Sequence, residues 1–155
     1  DNYEARSNIM WASSWAINGL LKRGKNISWT VHSLEHELSA YYDITHGVGL
    51  AILTPRFLTY ILNDKTKKML SDFAINVFKI KDTDDYYENA KLGIRALYDF
   101  FKNDLKLPMS LKELGVSDEY FEEMAKRQAD RRGGFVGGVC PLSPEDIVKI
   151  YRASL

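Results

Sequence analysis

All three histidines of this 155-residue chain fall within fifteen positions, at His32, His36 and His46. Imidazole nitrogen ligates zinc, iron, copper and nickel and carries protons near neutral pH, so such a cluster points to a metal site or to acid–base chemistry. Glu35 stands between the first two, in the run His32-Ser33-Leu34-Glu35-His36. Residues four apart on a helix differ by about 40° in azimuth and roughly 6 Å along the axis, so His32 and His36 share one face. His46 follows His32 by fourteen residues. On an unbroken helix it would stand about 21 Å away, too far to share an ion. The run Asp43-Ile44-Thr45 breaks the helical pattern through side chains that compete for backbone hydrogen bonds, and the chain can double back there.

On residues alone the cluster has more than one reading. Each histidine taken singly is an ordinary polar or core residue. Taken together, His32, Glu35 and His36 match the H-x-x-E-H pattern of a zinc hydrolase, with both histidines on the metal and Glu35 as general base. That site needs a further carboxylate ligand from a distant helix, and no motif identifies one.

The elements that must position these groups read as helices. Across residues 3–21 apolar side chains recur at Ile9, Trp11, Ala12, Trp15, Ala16 and Leu20, a broad stripe expected to be buried, with Gly24 and Asn26 closing the element. Ser28 or Thr30 is placed to cap a helix over 31–42. His46-Gly47 opens a helix that is apolar nearly all round, with Pro55 inside it, and it is expected to be the most buried. Asp64 is read as the cap of a helix over 65–77. Asp82, Thr83 and Asp84 start one over 86–105, and Ser117-Asp118-Glu119 opens one reaching about residue 131. Ser143-Pro144 places a serine cap and a first-turn proline on the last helix. No alternating strand pattern of any length occurs, and the fold class is all-α, a domain of six to seven helices.

Composition excludes several function classes. Lys plus Arg and Asp plus Glu both number 21, so the chain lacks the net positive footprint of a nucleic-acid or acidic-membrane binder. The longest apolar run, residues 48–53, is far short of the roughly 20 residues a membrane helix needs. A single cysteine, Cys140, makes no internal disulfide, and a reducing cytoplasm is the expected compartment. The glycine pairs at 133–134 and 137–138 beside Arg131 and Arg132 lack the strand–turn–helix context of a phosphate loop and read as a connector. Lys126, Arg127, Arg131 and Arg132 form a basic helix end that suits the dipole, and Asp82, Asp84 and Asp85 form a capping run.

The spacing H-x3-H-x9-H-G, followed by a long apolar helix with a proline inside it, resembles the iron-containing (metal-dependent, group III) alcohol dehydrogenase family. The run Asn2-Tyr3-Glu4-Ala5-Arg6-Ser7-Asn8-Ile9-Met10-Trp11-Ala12 is similar to the helix that opens the later part of that family's metal-binding domain. Asn18-Gly19-Leu20 and His36-Glu37-Leu38-Ser39-Ala40 resemble the butanol dehydrogenase branch, and Ser143-Pro144-Glu145-Asp146-Ile147-Val148-Lys149-Ile150-Tyr151 is similar to its closing helix. The resemblance covers nearly the whole chain.

It implies that His32 and His46 are metal ligands and that His36 lines the reaction cleft near the nicotinamide in a positioning or proton-relay role. Glu35 is then an ordinary helix-surface carboxylate. It further implies a divalent metal, Fe2+ or Zn2+, with NAD(P) as cofactor, a small alcohol or aldehyde as substrate, and a homodimer. The family's other two ligands, an Asp and a His in D-x3-H spacing, have no counterpart here, and neither does its nucleotide-binding domain. Residues 1–155 are therefore expected to be the C-terminal part of the helical metal-binding domain, inactive alone. A non-catalytic helical interaction domain is the remaining alternative.

Overall fold

The computed structural model describes residues 1–25 and 27–155, and the expected helix stop at Asn26 lies outside them. Among the described residues seven α-helices form: α1 (Tyr3–Ile17), α2 (Thr30–Tyr42), α3 (His46–Tyr60), α4 (Lys67–Phe78), α5 (Tyr86–Asp99), α6 (Phe121–Asp130) and α7 (Pro144–Arg152). A π-helical turn, Phe100–Asp104, extends α5, and a short 3-10 turn, Lys112–Leu114, closes on Gly115 at φ 76°. Among the described residues no strand forms; Val136 and Leu142 make a single antiparallel bridge across the glycine-rich connector. The all-α reading holds. Among the described residues no helix is long and apolar enough to cross a membrane.

One core joins four helices. Leu34 and Leu38 of α2, Ile52 and Leu53 of α3, Phe121 and Met124 of α6, and Ile147, Ile150 and Tyr151 of α7 are all buried together. Burying each such side chain contributes on the order of 1.5–3 kcal/mol, so this cluster is what holds α2 and α3 side by side. The Tyr151 hydroxyl donates to the Leu34 carbonyl at 2.7 Å and accepts from Gln128 Nε2 at 2.8 Å, so the closing helix is pinned to the middle of α2. Burial pushes that phenol's pKa up. Helices α4 and α5 form a second layer around Leu70, Ala90 and Ile94. There the backbones nearly touch: a Cβ on Gly93 would lie 2.4 Å from Ala74 Cβ.

Several local expectations change. Helix α1 buries none of its residues, and Ile9, Trp11 and Leu20 are exposed, because among the described residues α2, α3, α6 and α7 close their core without it. The cap of α2 is Trp29, without a side-chain bond, since the hydroxyls of Ser28 and Thr30 bond each other. Thr66, not Asp64, precedes α4, and Asp64 pairs with Lys67 at 2.6 Å instead. Helix α3 buries Gly49, Ala51, Ile52, Leu53 and Pro55 but is not the most enclosed element, because its last turn opens onto a cavity of about 490 Å3 lined by Arg56, Thr59 and Tyr60. By contrast Asp85 caps α5 through two backbone amides, and Ser143 with Asp146 forms a reciprocal capping box under Pro144.

Candidate metal centre

The three histidines meet where α2 hands over to α3. His32 and His36 lie one turn apart on α2, with ring centroids 6.3 Å apart. Asp43 ends α2 in the left-handed region at φ 51°, a conformation its short polar side chain tolerates, and the chain reverses. His46 is the first residue of α3, and its ring stands 5.4 Å from that of His32 and 5.2 Å from that of His36. The sequence separation of fourteen residues is thus folded into one small triangle. Trp29 packs edge-on against His32 at 4.5 Å. Burial, with the neighbouring His46 and His36 acting in the same direction, holds His32's pKa below its usual value against the opposing pull of Glu35, which favours the neutral ring that ligates metals.

Glu35 is not a surface carboxylate. Its side chain is 0% exposed, wedged between α2 and α3. The physical reason is its azimuth: it lies about 60° from Leu38 and about 60° from His32, between the core face and the histidine face. Oε2 accepts from His46 Nδ1, and Oε1 accepts from Ser39 Oγ at 2.5 Å. The Ser39 hydroxyl also stands 3.1 Å from the Ile44 carbonyl, inside the turn that delivers His46. Gly49 leaves the space this arrangement occupies, since a Cβ there would lie 2.7 Å from Glu35 Cγ.

A carboxylate oxygen on Nδ1 means that nitrogen carries the ring proton, and Nε2 of His46 keeps its lone pair. The donor atoms of Glu35, His36 and His46 all lie within 4.8 Å of one another; His32 stands outside that group, its ring 5.4 Å from that of His46. Three imidazoles, one of them backed by a carboxylate on its second nitrogen, fit a divalent metal by the chemistry of the donor set.

The basic end of α6 has a different job. Arg131 reaches the buried carboxylate of Glu37 at 3.1 Å, Arg127 approaches it at 3.6 Å, and Arg132 donates to Ser33 Oγ at 3.0 Å. These contacts tie α6 to the back of α2, and the dipole explanation alone missed them.

Residues 1–155 match the C-terminal part of the Fe-containing alcohol dehydrogenase family over their full length. The chain belongs to the iron-containing alcohol dehydrogenase family. NADH-dependent butanol dehydrogenase A of Clostridium acetobutylicum is 49% identical over 154 residues, covering 99% of this chain and 39% of that protein. Butanol dehydrogenase B of the same organism is 46% identical, covering 100% of this chain and 40% of that protein. In three dimensions the chain is similar to NADH-dependent butanol dehydrogenase A of Thermotoga maritima, with a TM-score of 0.85 at 31% identity over 99% of this chain and 40% of that one. It is also similar to the aldehyde reductase YqhD of Escherichia coli, with a TM-score of 0.89 at 28% identity over 100% of this chain and 40% of that one. The chain spans about two-fifths of the length of these relatives.

Membership in the iron-containing alcohol dehydrogenase family and the geometry of Glu35 both weigh against the hydrolase reading. A general base must face the water it activates. Both oxygens of Glu35 already accept hydrogen bonds, from His46 and from Ser39.

Proposed function

We propose that these residues form the C-terminal metal-binding part of a metal- and NAD(P)-dependent alcohol dehydrogenase or aldehyde reductase of the butanol dehydrogenase type. The observation that carries the proposal is the convergence of the three imidazoles at the junction of α2 and α3, in a chain 49% identical to an NADH-dependent butanol dehydrogenase. In this reading His32 and His46 are two of the metal ligands, and an Asp and a His from the preceding part of the enzyme complete the set. The ion is Fe2+ or Zn2+. When bound, it supplies Lewis-acid polarisation of the alcohol or aldehyde oxygen, and the nicotinamide carries hydride.

The chain's own residues do the rest. With Glu35 on Nδ1, His46 has Nε2 left to serve as the ligating nitrogen. Partial burial and its histidine neighbours favour the neutral form of His32. His36 is exposed beside both, so one of its ring nitrogens is placed to pass a proton between the reacting oxygen and solvent. The enzyme would work as a homodimer in the cytoplasm on short aliphatic alcohols and aldehydes.

The test is made on the full-length enzyme. It should reduce short aliphatic aldehydes with NAD(P)H and lose that activity on chelation. His32→Ala and His46→Ala should each bind metal more weakly and lose turnover, whereas His36→Ala should keep wild-type metal affinity and lose turnover. Dehydrogenase activity retained by a His32→Ala, His46→Ala double variant overturns the ligand assignment.

A further inference from the structure

We infer that Glu35 is a positioning residue of the metal centre: it fixes the tautomer and ring orientation of His46, so that Nε2 points at the site shared with His32 and His36. The inference rests on the reading of His46 as a ligand and goes beyond it.

Three observations carry it. First, a carboxylate removed from water is costly unless paired, and Glu35 is wholly enclosed. Its partners are the Nδ1–H of His46 and the hydroxyl of Ser39, one from each side of the turn between α2 and α3. Second, the enclosure is built for it. Gly49 contributes no side chain at the point where a Cβ would lie 2.7 Å from Glu35 Cγ and 2.8 Å from Oε1. Third, the orientation has a chemical consequence. An imidazole that donates its second N–H to a carboxylate is locked in one tautomer and is a stronger donor at the other nitrogen.

Glu35 is assigned positioning rather than ligation because each of its oxygens already accepts a hydrogen bond, Oε2 from His46 and Oε1 from Ser39, and the Co2+ spectrum separates the two roles. The second buried glutamate of α2, Glu37, faces Arg127 and Arg131 instead and serves as an internal contrast.

The experiment uses the full-length enzyme, stripped of metal and titrated with Co2+, in wild type and in the Glu35→Gln, Glu35→Ala and His46→Ala variants. Glu35→Ala should weaken Co2+ binding by about 10–100-fold, the range seen when a partner of a ligating histidine is removed. At saturation its visible d–d spectrum should match wild type, because no ligand has been lost. Glu35→Gln should restore most of the affinity, since the amide oxygen accepts from His46 Nδ1–H and the amide nitrogen donates to Ser39. Wild-type affinity in Glu35→Ala overturns the inference, as does an equal loss in Gln and Ala. A changed saturated spectrum in either variant also overturns it, by making Glu35 a ligand. Should Glu35→Ala fail to fold, Gly49→Ala, which displaces the carboxylate without removing it, must show the same weakened binding and unchanged spectrum. Unaltered Co2+ affinity in His46→Ala marks a different failure, that of the ligand reading itself.

Discussion

The close fit at Gly49 gives a prediction whose sign is decided by two opposing magnitudes. Replacing a helix-interior glycine by alanine normally stabilises by up to about 1 kcal/mol, because alanine has the higher helix propensity. At Gly49 the new methyl would meet Glu35 Cγ at 2.7 Å, Glu35 Oε1 at 2.8 Å and Ile44 Cδ1 at 3.0 Å. Ordinary carbon contacts are about 3.5–4.0 Å, so the neighbours must retreat by most of an ångström. Overpacking of this kind costs about 1–3 kcal/mol. Clash therefore outweighs propensity, and Gly49→Ala should be destabilised by roughly 0–2 kcal/mol net of the gain. Gly47, two residues earlier, is the control. Among the described residues nothing lies within 4 Å of a Cβ built there, so Gly47→Ala should show only the gain. At about 2–4 °C per kcal/mol for a chain of this size, the two variants should melt on opposite sides of wild type by circular dichroism. If Gly49→Ala melts at or above Gly47→Ala, the carboxylate is not packed against α3 as described, and the reasoning fails.

Two further outcomes follow from the same framework. Tyr151→Phe removes the hydroxyl that bonds the Leu34 carbonyl and the Gln128 amide, leaving buried polar groups unpaired; it should cost about 1–3 kcal/mol, read as a lower urea midpoint at unchanged slope. The Tyr60–Asp146 bond makes stability depend on pH at both ends. The hydrogen bond from Tyr60 holds the Asp146 carboxyl below its usual value, so its stabilisation is present above about pH 4 and is lost as pH falls through the depressed folded value. Burial, with the Asp146 bond, pushes the Tyr60 phenol up to about 12. That contribution is present below about pH 10 and is lost as pH rises toward the folded value. Tyr60→Phe should flatten both limbs in urea midpoints measured across pH.

Much of the scaffold was legible because its signals are local. The Ser143-Pro144 start of α7 and the Asp43 break each depend on a few adjacent residues and stand where the pattern placed them, while the acidic run before α5 holds the cap at Asp85, one residue past the expected start. The approach of His46 to His32 and His36 followed from that break. What was not legible depends on partners. The stripe on α1 has helical spacing, but periodicity does not say which surface faces it, and among the described residues nothing covers Trp11 and Ile9. Glu35 was misplaced because a charged residue beside a histidine reads as solvated. Its azimuth between Leu38 and His32 was the available signal, together with a glycine on the facing helix. The roles of Arg127 and Arg131 depend on Glu37, about ninety residues away in the chain, and no local pattern reports such a pair.

His32 and His46 are proposed to bind a metal at the junction of α2 and α3. X-ray absorption at the metal edge of the full-length enzyme tests it most directly. Imidazole nitrogens are expected in the coordination shell of wild type, with fewer in metal-loaded His46→Ala and His32→Ala. A metal whose coordination shell is the same in wild type and in both variants would contradict it.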